Sequence, residues 1–141
     1  MPFPTQDHLP RLTSTENLIP WARHLVERLE HNLQEFRFIP TVLQLVNGDN
    51  NNVSIQQAQL LRIIGPTAAY TITGLAGGSP GRVVILRNTV AFNLTLAEES
   101  VLSEATNRIT TQTGVDESTS GIGMLILVYD ENRWQFLGGV A

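Results

Sequence analysis

The chain has 141 residues, of which 42% are hydrophobic and only 16% charged, with a net charge of −4; an average soluble domain carries about 25% charged residues. The acidic balance disfavours a nucleic-acid partner, which calls for a basic face to displace phosphate counterions. All nine basic residues are arginine and there is no cysteine, which excludes a P-loop lysine, a Schiff-base lysine, a cysteine nucleophile, a thiolate metal site and a disulfide framework.

A chain of this length makes one domain with at most one appended element. So little charge leaves much neutral surface to cover, and burial against copies of itself or a larger assembly is one way to cover it. No apolar run reaches the 18 residues of a membrane-spanning helix, so no membrane partner is expected. The segment MPFPTQDHLPRLTSTEN lacks the basic start and apolar core of a signal peptide, and none is expected.

Residues 1–16 read as an N-terminal arm. Pro2, Pro4 and Pro10 fix φ and remove backbone donors, which favours an extended conformation over a helix. Two readings stand for it: a loose terminus, or an anchoring strand laid on a neighbouring subunit through Phe3, Leu9 and Leu12.

An amphipathic oligomerisation helix is predicted over 17–37. Thr13 to Glu16 has the spacing of a capping box, and Asn17 is a second candidate cap that keeps Pro20 in the first turn. Phe38-Ile39-Pro40 stops the helix. Leu18, Ala22, Leu25, Leu29 and Phe36 form a seam at four- and three-residue spacing, with the polar Asn32 at the remaining position. That arrangement resembles a coiled-coil seam, although under three heptads are marginal alone. The plainer reading is an amphipathic helix packed on the rest of its own chain.

Residues 38–58 read as a connector with one short strand, Thr41 to Val46, and a hairpin turn at Asn47-Gly48. The Asp49 to Asn52 run is a polar turn and lacks the glycine and bidentate glutamate of an EF-hand. Residues 59–141 read as a β module. Strands are predicted at 59–64, 68–75, 82–87, 92–97, 123–129 and 133–137, separated by Gly, Pro, Asn and Asp. An irregular loop crosses between Glu98 and Thr113, and Asp130 to Asn132 closes a last hairpin. Turns every eight to twelve residues suit a mainly antiparallel sandwich or barrel, and no internal repeat is evident. The fold class is therefore α+β.

No catalytic constellation emerges, and an enzyme is not expected. The glycines from Gly74 to Gly81 lie between two strands, with no helix N-terminus to hold a phosphate. His24, Glu27 and His31 share one helix face, but with Arg23 and Arg28 nearby and no HExxH spacing, solvated surface is the reading adopted. Glu98 and Glu99 point to opposite faces of a strand end and do not pair as acid and base. Asn52-Val53-Ser54 and Asn93-Leu94-Thr95 match a glycosylation acceptor by chance, given no expected leader. Trp134 beside Arg133 has two readings: a sugar or guanidinium platform, or ordinary packing in a terminal hairpin. No cofactor and no metal are assigned.

The strings TGLAGGSPGRVVILRN, NLTLAEESVLSEATNRI and VYDENRWQFLG, with the upstream LIPWARHLVERLE, resemble a helix-plus-β module of short structural proteins of tailed bacteriophages. Such modules occur in tail fibres and in head fibres or capsid-decorating proteins. The likeness runs from Leu18 to Leu137 and is weak between Phe38 and Leu60. It implies a homotrimer with helices at the axis, located on a virion assembled in the host cytoplasm. The implied partners are the chain itself and the major capsid protein or another virion protein. The expected function is a trimeric decoration or cement protein that stabilises the assembled shell. The alternative is a short tail-fibre module that attaches to host-surface glycan, with Trp134 as its ligand contact.

Overall fold

The structure is a computed structural model and describes residues 19–34 and 37–140. It divides into two units between Arg37 and Phe38. The first contains one helix, α1 (Pro20–Gln34). Pro20 occupies its first position, where the missing N–H costs no ladder bond. Leu25 and Leu29 of the expected seam are each 53% exposed, and Ala22 is half-buried. Leu18 and Phe36, the Asn32 side chain, and Phe3, Leu9 and Leu12 of the arm lie outside the described residues.

The regular structure of the second unit is β apart from one 3-10 turn. Its strands are β1 (Pro40–Gln44), β2 (Gly48–Asn50), β3 (Val53–Ser54), β4 (Leu60–Ile64), β5 (Tyr70–Ile72), β6 (Leu75–Ala76), β7 (Val83–Asn88), β8 (Leu94–Leu96), β9 (Ile109–Thr110), β10 (Glu117–Ser118), β11 (Gly123–Asp130) and β12 (Arg133–Val140). A single 3-10 turn, Ala105–Asn107, precedes β9. One helix with a β module is the α+β class expected from the sequence.

The pairing differs from a mainly antiparallel sandwich or barrel. Among the described residues, six of the nine strand pairings are parallel. β1 pairs β4 and β4 pairs β7; β2 pairs β5 and β5 pairs β8; β3 pairs β6. Short strands of successive coils thus stack in register, as in a solenoid. Pro40 stands beside Leu60 and Leu60 beside Ile85, so the repeat is 20 residues and then 25. Unequal spacing and different residues at matched positions hide that repeat from the sequence. The exceptions to the stacking are β10, which lies antiparallel on β8, and the long hairpin of β11 and β12, which lies antiparallel on β7 and completes a six-stranded sheet ordered β1-β4-β7-β11-β12-β9.

Asn50 explains why Asn47-Gly48 does not make a hairpin. Its Oδ1 accepts the N–H of Val46 at 3.0 Å, and its Nδ2 donates to the carbonyls of Val46, Gly48 and Thr71. The side chain takes the bonds that a returning strand would have taken, so the chain turns a corner into a second sheet. Asn47 ties that corner to the coil above: its Oδ1 accepts from the N–H groups of Thr67 and Ala68. Gly48 supplies the left-handed φ of +76° that the corner requires.

Inward positions recur at matched register and make the core. Leu61, Leu86 and Leu125 are neighbours across β4, β7 and β11, and Leu43, Ile63 and Asn88 across β1, β4 and β7. All six are buried. On the second sheet Asn50, Ile72 and Leu96 stack in the same way. Gly78 marks a close approach: a Cβ there would meet Tyr129 Cε2 at 2.1 Å, so no larger residue fits without moving a buried ring.

Candidate interaction surface

No group of three or more His, Cys, Asp or Glu side chains poised to hold a metal occurs among the described residues. His24, Glu27, Arg28 and His31 line a shallow hollow on α1. The buried polar side chains serve the fold. Thr73 Oγ1 and Ser103 Oγ lie 2.8 Å apart, and Ser103 Oγ accepts the N–H of Asn52. Asn52 Oδ1 in turn accepts from the N–H of Glu104 and from Asn107 Nδ2. Every polar atom in this set has a partner, so nothing in it is held ready for a ligand.

Trp134, expected as a ligand contact under the glycan reading, is fully buried. Its Nε1 donates to the Leu75 carbonyl at 2.9 Å, and its ring meets Tyr129 edge-to-face with centroids 5.2 Å apart. A side chain with no exposed face cannot stack on a sugar; Trp134 is a core residue joining the terminal hairpin to β6.

The feature that sequence reasoning missed is the outer face of the six-stranded sheet. Strand alternation puts one face toward the core and the other toward water, and in a sheet packed on one side only the outer face is normally polar. Here the outward residues are largely apolar as well. One register row reads Pro40, Leu60, Ile85, Ile126 and Gly138. The adjacent row holds Val83, Val128 and Gln135. Ile126 is 41% exposed and Val83 39%. The signal was present in the doubly apolar strings VVIL and MLILV, which read equally as strands buried on both faces.

Glycine shapes the middle of this face. Gly138 of β12 carries no side chain where an outward residue would stand, and a trench of about 250 Å3 lies there, lined by Ile85, Met124, Ile126, Gly138 and Gly139. Gly138 has φ +148°, and a Cβ at Gly139 would lie 2.5 Å from Leu125 Cδ2. A bulge between Ile126 and Leu127 sets Leu137 as the extra residue, half exposed at the rim.

Polar groups frame the band. Val42, Arg62, Arg87, Met124 and Val140 share the next register row, so Arg62 and Arg87 stand side by side on neighbouring parallel strands. Neither guanidinium has a hydrogen bond or ion pair among the described residues. Adjacent like charges on one sheet face oppose folding. At the far edge Arg133 is paired, its Nε 2.6 Å from Glu99 Oε1. The other sheet, by contrast, presents a polar row outward: Asp49, Thr71, Thr95 and Ser118.

Burial alone would raise the Glu99 pKa, but hydrogen bonds from Arg133 and Thr110 and the nearby arginine charges outweigh it and hold the carboxyl below its ordinary value. A depressed folded-state pKa stabilises the fold above the unfolded value, about 4.3 for glutamate, and that stabilisation is lost as pH falls through the lower folded value. Glu99→Gln is therefore expected to flatten the acid limb of stability measured by urea unfolding at pH 3 to 6, with little change in shape near neutrality. An unchanged acid limb would show that the ion pair contributes nothing.

No known protein family, curated protein or solved structure matches the chain. Its reading therefore rests on its own residues and surfaces.

Proposed function

We propose that the chain is a structural, self-assembling component of a virus particle of the tailed-phage kind: a trimeric decoration or cement protein that binds the assembled shell and stabilises it. One observation carries this reading. A fully packed solenoid leaves the outer face of its largest sheet apolar, and a face of that size on a soluble chain calls for a protein partner. The exposed Leu25 and Leu29 of α1 support the same reading, since an apolar stripe on a short helix needs a partner to be stable. The likeness of the helix and β strings to phage structural modules supplies the particle. A protein that binds the assembled lattice and not the free subunit shifts the equilibrium toward the intact shell by mass action. This role needs docking surfaces and stiffness and no reacting group.

Copy number per particle tests the proposal. Quantitative mass spectrometry of purified virions against the major capsid protein is expected to count the chain in the hundreds. A few trimers per particle would move it to the neck or tail, and absence from the particle would refute the reading.

A further inference from the structure

The row that fills the inside of the four-stranded sheet ends on a charge. Asn50, Ile72, Leu96 and Glu117 are register neighbours across β2, β5, β8 and β10. The first three are buried, and alternation sends Ser118 to the outer, polar row. Glu117 therefore stands at an inward position, half-buried, where the pattern calls for an apolar side chain. One carboxylate oxygen accepts from Thr113 Oγ1. The other has no bond, and Glu117 has no ion pair, among the described residues. Departures from the local pattern that no internal partner compensates are expected at functional sites.

The space in front of Glu117 is open. β10 is the end strand of its sheet, and β9 pairs only with Trp134 and Gln135 of β12. Between β10 and the uncovered part of β12 lies a cleft of about 310 Å3, at the small end of ligand sites. Its apolar wall comes from inward residues of the terminal hairpin: Leu125, and Phe136 opposite the buried Leu127. Gly139, opposite Leu125, adds no side chain there. The polar wall is rich in acceptors. Besides the free Glu117 oxygen it holds Gln112, whose Nε2 donates to the Leu137 carbonyl at 3.0 Å and whose Oε1 has no donor among the described residues. No basic residue lines the cleft.

We infer that this cleft binds a guanidinium group on a short apolar stem, with Glu117 and Gln112 as its acceptors and Leu125 and Phe136 against its stem and face. Two idle acceptors, one of them charged, call for a cation with several N–H donors. A guanidinium is more weakly hydrated than an ammonium, so it enters a half-buried, apolar-walled cleft at lower cost, and its plane stacks on an aromatic ring. The group comes either free, as a small alkylguanidinium, or on an arginine of a protein segment laid along the open edge of β12. The chemistry is the same in both cases, and the test separates them.

The test is a titration of the full-length, nitrogen-15-labelled chain with n-butylguanidinium chloride, read from amide chemical shifts. Saturable shifts are expected over 112–119 and 136–139, with half-saturation on the order of 1 mM for so small a ligand. n-Butylammonium at equal ionic strength is expected to bind about fivefold more weakly or worse. Glu117→Gln keeps the shape of the side chain and removes its charge, and is expected to weaken binding about tenfold or more. Gln112→Ala, at an exposed site, is expected to weaken it about threefold. Circular dichroism verifies that both variants fold. No saturable shift up to about 50 mM, wild-type binding in Glu117→Gln, or shifts that map outside the cleft each overturn the site. Glu117 would then be an inward charge that guards a short edge strand against pairing. The capped peptide acetyl-Leu-Arg-Leu-amide identifies the source. Binding about tenfold tighter than that of butylguanidinium, and lost in Glu117→Gln, assigns the guanidinium to a protein segment, whose backbone adds bonds to the β12 edge; equal binding assigns it to a free small molecule. None of these outcomes depends on the particle count, so the cleft and the particle role stand or fall separately.

Discussion

Trp134→Ala is expected to be among the most destabilising single substitutions in the β unit, by about 4 kcal/mol. The indole has no exposed surface, and its removal leaves a void between the terminal hairpin and β6 that the stacked strands cannot collapse to fill. It also strands the Leu75 carbonyl, which accepts from Nε1, and deletes the edge-to-face contact with Tyr129. For a unit of this size the loss corresponds to a fall in melting temperature on the order of 20 °C. Trp134→Phe separates the contributions: it keeps an aromatic ring and loses the hydrogen bond, with an expected cost of about 2 kcal/mol. Urea unfolding followed by far-UV circular dichroism measures both. A cost below about 1 kcal/mol for the alanine variant would mean that the tryptophan lies at the surface, and would reopen the glycan reading.

Asn88→Leu is expected to cost about 4 kcal/mol although leucine keeps the four-atom branched shape of the asparagine side chain, because four hydrogen bonds vanish from a buried site and two bulkier methyl groups must be fitted there. Asn88 is fully buried at the end of β7. Its Oδ1 accepts the Tyr70 hydroxyl at 2.7 Å and the Val90 N–H at 3.2 Å. Its Nδ2 donates to the carbonyls of Phe92 and Gly121 at 2.7 and 2.8 Å. One side chain thus holds together β5, the corner after β7 and the segment entering β11. Burial also raises the Tyr70 pKa, so the hydroxyl stays protonated and remains a donor. Tyr70→Phe in the Asn88→Leu background is expected to recover about 1–2 kcal/mol, because the stranded hydroxyl is then gone. In the wild-type background the same Tyr70→Phe change is expected to destabilise. This reversal of sign is the check: additive losses from the two substitutions would mean that the hydroxyl and the amide do not act as a pair.

Both predictions concern residues whose roles only packing reveals. Asn88 appears in the sequence as part of an RN pair at the end of an apolar strand, where a turn is the natural assignment. It does end the strand, yet it does so from inside the core. Asn50 is similar: it belongs to a polar run that reads as a solvated loop, and its side chain is the device that turns the first coil's corner. In both cases composition identifies a break in the strand, and the fold decides whether the polar group meets water or backbone.

Local elements were legible where local physics controls them. Pro20 starts α1, because proline fits only the first turn. Alternating apolar residues mark β4, β7 and β11, and Asp130 to Asn132 closes the β11–β12 hairpin with Glu131 at a φ of +54°. The expected strand over 68–75 was instead two strands, β5 and β6, separated by Thr73 and Gly74. There the Thr73 hydroxyl bonds Asn50, Asn51 and Ser103, up to 30 residues away, and no local pattern signals such partners.

The amino-acid sequence by itself determined that this is one short helix followed by β structure, with no lysine or cysteine chemistry, because these follow from residue type and from contacts between near neighbours. The tertiary structure alone decided three things. It decided that the strands stack in parallel coils, that Trp134 faces inward, and that the largest sheet is apolar on both sides with two arginines at its rim that are unpaired among the described residues. The physical reason is common to all three. A strand's alternation states that its two faces differ or agree, but which face is covered, and by what, is set by backbone hydrogen bonds to residues 20 and more positions away.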